Sequence, residues 1–401
     1  MINNNIILEK VNNLEEYLYE TRGYLHENPE VTAHEFETSK FLKGEVEKLG
    51  LSIEEVPGTG FIATLDTGKP GKTVAIRADI DALAMPESED NLKGKKKYVS
   101  KNEGVCHSCG HDAHMSMALT SAKILTDLKD KLTGKVLFLF EEGEEAGTGI
   151  EAMLAAVKDK GIDGVWGIHV TSFMPSGTIN VEPGPRMSGV SGIAFDIIGR
   201  GGHGSRPDLS INPVFAAANV LTALGSAWSN RLDVEETVTL GITMINGGTA
   251  RNIIPDRVNI GGSLRFFNME EGQKAIDVLM HTVEHTAKAH YCDVEFIYDT
   301  PVNFTMQNPV VNNEEMSLLA EEALKDILPE GAVTRGTKWY ASESFGRYSQ
   351  VAPIVLAFLG VQNEETGSGA EHHNVHFDID EEAMKIGVIS TVKFVNDFLG
   401  K

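Results

Sequence analysis

The stretch VSGIAFDIIG, residues 190–199, decides the fold, because there the order of elements changes. It reads as a strand, with Ile193, Phe195 and Ile197 alternating with small or polar residues. INPVFAAANVLTALGSAW (211–228) then reads as a helix, and ETVTLGITMI (236–245) and DRVNIGGSLRFF (256–267) as two strands. EEGQKAIDVLMHTVEHTAKAH (270–290) reads as a second helix and CDVEFIY (292–298) as a last strand. The order β-α-β-β-α-β is the split unit of a ferredoxin-like layer. GPRMSG (184–189) and IYDTPVN (297–303) at its ends have the composition of hinges.

Outward from this block, both flanks read differently. Before it, KTVAIRAD (72–79), GKVLFLFEE (134–142) and DGVWGIHV (163–170) are short apolar runs suited to buried strands. HMSMALTSAKILTDL (114–128) and TGIEAMLAAVKDKG (148–161) lie between them with helical spacing. LEKVNNLEEYLYETRGYLH (8–26) and EFETSKFLKGEVEKLG (35–50) are helical at the start. After the block, PVVNNEEMSLLAEEALKDIL (309–328) reads as helix, APIVLAFLG (352–360) as buried strand and DIDEEAMKIGVISTVKFVNDFLG (378–400) as closing helix. The expectation is an α/β domain, a mostly parallel sheet with helices on both faces, interrupted by a small inserted domain. Its first part covers residues 1–187, the insertion 188–300 and its second part 301–401.

Bulk properties restrict the function. A chain of 401 residues with 41% apolar residues can bury a large core. A formal net charge of -23 argues against a nucleic-acid backbone as partner. No run of eighteen apolar residues occurs, so no membrane span is expected. The start, MINNNIILEK, lacks the pattern of a secretory signal. Three cysteines, Cys106, Cys109 and Cys292, suit a reducing cytoplasm better than a disulfide scaffold.

Each apolar strand of the first flank ends in polar residues: Asp79 and Asp81, then Glu141, Glu142, Glu144 and Glu145, then His169. In an open α/β sheet, ligands bind just beyond the carboxyl ends of the strands. CHSCGHDAH (106–114), placed before a helix, brings two cysteines, three histidines and an aspartate to that rim, and EHHNVHFDID adds His372, His373 and His376. A CxxC redox pair, a structural zinc knot and an exposed polar loop are alternatives. The redox pair lacks its usual company, and the knot lacks a second ligand pair at the required spacing. Carboxylates and histidines at every strand end favour a catalytic metal centre.

The ordered set RADIDAL (77–83), CHSCGHDAHMSMAL (106–119), EEGEEAGTGIEAM (141–153), GIHV (167–170), GRGGHGSRP (199–207), GGTARNIIPD (247–256) and HFDIDEEAM (376–384) resembles the aminoacylase/carboxypeptidase-like family of metal-dependent amidohydrolases. The similar subgroup contains hippurate hydrolases, indole-acetyl-amino-acid hydrolases, aminobenzoyl-glutamate hydrolases and N-acetyl-diaminopimelate deacetylases. The resemblance runs from RGYLHENPE (22–30) to the last helix. It implies a catalytic α/β domain carrying an inserted lid or dimerisation domain, and a homodimer or dimer-based oligomer acting on a small amide.

It also implies roles. Cys109, His111, Glu145, His169 and His373 resemble the ligands of two divalent ions, zinc or manganese, with cobalt or nickel as further options. Glu144 resembles the general base. His203 resembles the group that stabilises the tetrahedral oxyanion, often supplied across a dimer. Asn252 and Arg265 resemble residues holding a substrate carboxylate. His372 and His376 read as neighbouring histidines without a ligand role, and Asp81 as a carboxylate able to fix a ligand histidine's tautomer. The implied activity is hydrolysis of an N-acyl or N-aroyl amino acid. A dipeptidase or aminopeptidase of the same family, or a non-catalytic metal-binding assembly protein, are the other readings. Four positions depart from the family pattern. Glu141 and Glu142 replace a usual Gln-Pro and add negative charge, which an aminopeptidase can use to bind a free amine. Ser344 replaces an acidic residue, and Arg206 replaces an apolar one.

Overall fold

The computed structural model describes residues 2–298, 300 and 302–401. The chain forms two compact units. One comprises Met1–Gly184, Val311–Thr337 and Ser344–Lys401; the other comprises Pro185–Val310 and Lys338–Glu343. These bounds differ from the expected 187/188 and 300/301, and six residues of the second flank, Lys338–Glu343, return to the inserted unit. There the Trp339 N–H donates to the Arg186 carbonyl at 2.8 Å, a long-range bond no local pattern announces. Asp299 and Pro301, at the expected second hinge, lie outside the described residues.

The larger unit is built on a seven-stranded sheet. Across it the strands run Ser52–Glu55, Phe61–Asp66, Lys135–Glu141, Thr73–Asp79, Gly164–Pro175, Ile354–Gln362 and Ile179–Asn180. The four from Lys135–Glu141 to Ile354–Gln362 are parallel, and the outer ones are antiparallel. Parallel strands are buried on both faces, which is why they read as continuous apolar runs. Gly164–Pro175 shows the two faces in adjacent residues. Trp166 stacks on Phe394 of helix Glu382–Gly400 and donates to Thr391 at 3.0 Å. Gly167 points the other way, where an added Cβ would lie 2.7 Å from the Phe345 ring. Helix His111–Asp127 packs against Glu382–Gly400, and both cover strand Thr73–Asp79. The register sets Asp79 beside Glu141 and Arg77 beside Gly167, so the polar strand ends reach one rim.

The sequence pattern misses the antiparallel pair Ser52–Glu55 and Phe61–Asp66. Ser52–Glu55 carries only four residues, mostly exposed, and has no apolar alternation to read. The first expected helix is two, Asn4–Asn13 and Glu15–Glu27, divided at Leu14.

The inserted unit has a four-stranded antiparallel sheet in the order Val238–Gly247, Arg257–Phe266, Gly189–Ile198, Asp293–Phe296. Helices Pro213–Arg231 and Met269–Ala289 fall between the strands as β-α-β-β-α-β. Ile193, Phe195, Ile197, Val220, Leu264 and Leu279 belong to its separate core. Asn212 and Asn268 cap the two helices by accepting from Val214 and Glu270 N–H groups. Among the described residues no helix is long and apolar enough to cross a membrane.

Candidate metal centre

The centre starts from a turn that glycine permits. Helix His111–Asp127 begins directly after Gly110, whose φ is 88°. A Cβ at Gly110 would lie 2.3 Å from Val170 Cγ2, so both conformation and space require glycine there. Cys109 and His111 flank the turn, and both are buried.

Two overlapping donor clusters form. Ligand atoms of Cys109, His111 and His169 lie within 4.8 Å of one another, and so do those of Cys109, Glu145 and His373. Cys109 Sγ is 3.7 Å from His169 Nε2. Glu145 Oε1 lies 3.8 Å from His111 Nε2 and 3.4 Å from His373 Nε2. A third grouping joins His111, Glu144 and Glu145. Cys109 is common to the two main clusters.

Hydrogen bonds set the ring orientations. His111 Nδ1 lies 2.9 Å from the Asp81 carbonyl and His169 Nδ1 lies 2.7 Å from the Val170 carbonyl. A carbonyl only accepts, so both rings carry the proton on Nδ1 and turn the Nε2 lone pair inward. Burial, with His114 nearby, holds the His169 pKa well below its ordinary value and keeps the ring in the neutral, ligating form. Burial also pushes the Cys109 thiol up, with Glu145 adding to it, so a cation is what would stabilise the thiolate. His111 Nε2 and Glu145 Oε1 are buried and make no hydrogen bond among the described residues. Such groups are costly unless something satisfies them. A soft thiolate, imidazoles and a carboxylate, with two orphaned atoms facing one another, fit divalent transition metals. His373 has φ 59°, an uncommon conformation for a residue with a side chain. Its N–H donates to the Ser108 carbonyl at 2.9 Å, which ties its loop to the Cys109 loop.

Asp81 organises the remaining side. Its carboxylate accepts the N–H groups of Glu144 and Glu145, each at 3.1 Å, and the Thr32 hydroxyl at 2.6 Å. The turn it holds is entered through Gly143, φ 63°. Glu145 then points to the ligand clusters, and Glu144 Oε1 accepts the Ser344 N–H at 3.0 Å.

The neighbouring histidines are engaged elsewhere. His114 shares a grouping with Asp79 and His111, yet its Nδ1 bonds Asp79 at 2.7 Å and its Nε2 accepts the Val170 N–H at 3.0 Å. His372 Nε2 accepts the Ser172 N–H at 3.2 Å, and half-buried His376 bonds the Asp90 carbonyl at 2.8 Å.

Three of the departures from the family pattern are corrected by their partners. Glu141 is fully buried and bonded by Arg77 at 2.9 Å, Tyr348 at 2.6 Å and Ser344 at 2.5 Å. Glu142 accepts from the Thr59 N–H and, at 3.0 Å, from its hydroxyl. Glu141 is thus held by a cation and two hydroxyls, and Glu142, among the described residues, by Thr59 alone. Arg206 forms a forked pair with Asp208 at 2.9 and 2.7 Å, so its charge is balanced inside its own loop. The sequence reading also missed Arg77 and Tyr348; only Arg77, within RADIDAL, carried a local signal.

In the inserted unit, Gly202–His203 pairs with Ile253–Ile254, which sets His203 opposite Ile253, and the next N–H, of Gly204, donates to the Asn252 carbonyl at 2.8 Å. His203 and Asn252 are both exposed. His203 Nδ1 accepts the Ser205 N–H at 3.1 Å, so the neutral ring carries its proton on Nε2. Arg265 is partly buried, burial lowers its pKa, and its Nη1 has no hydrogen-bond partner among the described residues. His203 and Asn252 do not meet Arg265. They lie beyond the Arg257 end of strand Arg257–Phe266, and Arg265 sits near the other end, roughly 25 Å along at 3.3 Å per residue.

Donor clusters at the carboxyl rim of a parallel sheet lie where open α/β sheets bind their ligands. Residues 75–397 match the model of peptidase family M20/M25/M40, and the chain belongs to that family. It is 33% identical to thermostable carboxypeptidase 2 of Saccharolobus solfataricus, over 97% of this chain and 99% of that one. It is 32% identical to IAA-amino acid hydrolase ILR1-like 4 of Arabidopsis thaliana, over 95% of this chain and 86% of the other. The crystal structure of the Bacillus subtilis YXEP protein, a dinuclear metal binding peptidase from the M20 family, superposes with a TM-score of 0.83 at 28% identity, covering 97% of this chain and 99% of that chain.

Proposed function

We propose that the protein hydrolyses the amide bond of N-acyl or N-aroyl amino acids, with Glu144 as general base. The observation that carries this is the pair of donor clusters sharing Cys109, with buried, unsatisfied His111 Nε2 and Glu145 Oε1 between them. Cys109, His111, Glu145, His169 and His373 would hold two divalent cations, zinc or manganese, with cobalt or nickel also suited. When bound, such ions supply a water whose pKa falls toward about 7 and polarise the amide carbonyl. Glu144 takes the proton of the attacking water and returns it to the leaving nitrogen. The Ser344 N–H sets the direction of that carboxylate before substrate arrives. His203, protonated on Nε2, donates to the oxyanion.

Arg265 and Asn252 are the proposed carboxylate holders, Arg265 through the unpartnered side of its guanidinium. An acylated amino acid is too short to reach both ends of strand Arg257–Phe266, so one copy cannot present both groups to one substrate. This supports a homodimer in which His203 and Asn252 serve the partner's site. Helix Pro213–Arg231 has no charged residue before Arg231, and edge strand Val238–Gly247 has none, while Phe215, Met244 and Ile245 are exposed. An uncharged surface with an unpaired strand edge suits a second copy of the chain. Three buried free cysteines suit a cytoplasmic location.

The test is metal content together with amine release from N-acetyl, N-benzoyl and aminobenzoyl amino acids and from dipeptides. About two ions per chain and release from acyl amino acids are expected. Release from dipeptides alone would move the protein to the peptidases. A metallated protein inert on the whole panel would overturn the reading.

A further inference from the structure

Arg77 is the hub of a buried network beside Glu144. Its Nε donates to Glu141 Oε2 at 2.9 Å, its Nη1 to Asp79 Oδ2 at 2.7 Å and its Nη2 to the Ser344 hydroxyl at 2.8 Å. That hydroxyl donates its own hydrogen to Glu141 Oε1 at 2.5 Å, and the Tyr348 hydroxyl donates to Glu141 Oε2 at 2.6 Å. Arg77 is 5% exposed, and Asp79, Glu141 and Tyr348 are 0% exposed. Buried ions are poor sources of stability, because desolvation offsets their attraction. When every partner is satisfied they are stiff. Stiffness has an evident use here, since the main chain of Ser344 reaches Glu144.

We propose that Ser344 is a positioning residue for Glu144. Its hydroxyl is clamped between Arg77 and Glu141, and its main-chain N–H thereby fixes one oxygen of the Glu144 carboxylate. Ser344 moves no proton of the reaction and holds no metal. The inference rests on Glu144 being the base. The same geometry restricts the residue at 344: an aspartate there would set a carboxylate against Glu141, two like charges in a space already filled by one short hydrogen bond.

The experiment uses the metallated full chain and an acyl amino acid that it cleaves. S344A is expected to lower kcat about 10- to 100-fold, the scale of a misaimed catalytic group, with KM and metal content unchanged. S344T, which keeps the hydroxyl, restores most of the loss. S344D falls at least as far as S344A, and adding E141Q to it restores activity, because one carboxylate then remains in the clamp. In an E144Q background, S344A causes no further loss, as expected of residues acting as a unit. Unchanged kcat in S344A beside an inactive E144Q would overturn the positioning role, as would additive losses in the double variant. An active E144Q would instead remove the base assignment. If S344A fails to fold, S344D and S344D/E141Q decide alone, and equal activity in the two overturns the proposal.

Discussion

The two units hold their candidate chemistry in opposite conditions. In the larger unit Cys109, His111 and His169 are buried, two ring tautomers are set by carbonyls, and His373 occupies a left-handed conformation. In the inserted unit His203, on a two-residue strand pair, and Asn252, just before its partner strand, are exposed. The first region carries costs that folding alone does not repay: orphaned buried atoms, strained backbone and clustered donors. In the second, the candidate residues His203 and Asn252 sit at the surface, and among the described residues Arg265 Nη1 has no hydrogen-bond partner. A site built in advance is recognised by what it costs.

The sharpest way to break this contrast is at Glu144. Glu144→Ala should retain the metals and lose activity by about 10²- to 10⁴-fold or more. Near-normal turnover, measured with metal content in hand, would leave the larger unit without its base. A smaller effect is expected at His203. His203→Ala should lower kcat about 10²-fold, more than it raises KM, as for loss of an oxyanion donor. Mixing it with Glu144→Ala protein should then restore part of the activity if copies share sites. No recovery after demonstrated subunit exchange would return His203 to its own chain.

The smallest effect concerns stability. His26 is buried between Asp112 at 2.8 Å and Glu87 at 2.9 Å. Burial opposes its charge, but Asp112 and Glu87 outweigh it and raise the pKa from 6.5 to about 9. A raised pKa stabilises fully below the ordinary value and loses that contribution as pH rises through about 9. Glu87, against burial, is held down from 4.5 to about 2 by His26 and Lys96, so its contribution is lost only as pH falls toward 2. Denaturant melts of wild type and His26→Gln should therefore differ most between about pH 5 and 6.5, by roughly 3 kcal/mol, and converge by about pH 10. A difference that widens with pH would show that His26 is buried neutral.

Much of this was legible in the chain. The apolar runs ending at Asp79, Glu141 and His169 announced parallel strands, and their register places those ends on one rim. The β-α-β-β-α-β order announced the inserted sheet. Glu141 was not legible, because the same letter describes a subsite acid and an acid saturated by Arg77, Ser344 and Tyr348. The contrast between the adjacent His372 and His373, which turn to Ser172 and to Glu145 respectively, was legible only through the family resemblance, because the two letters are identical.

The sequence by itself determined the layers and the kinds of ligand at the rim, because periodicity and residue type are local properties of the chain. The tertiary structure alone decided which nitrogen carries a proton, which carboxylate is neutralised, and which buried atoms remain unsatisfied. Those depend on partners as far apart as Arg77 and Ser344, or Glu145 and His373, that only folding brings within hydrogen-bond reach or into a shared ligand cluster.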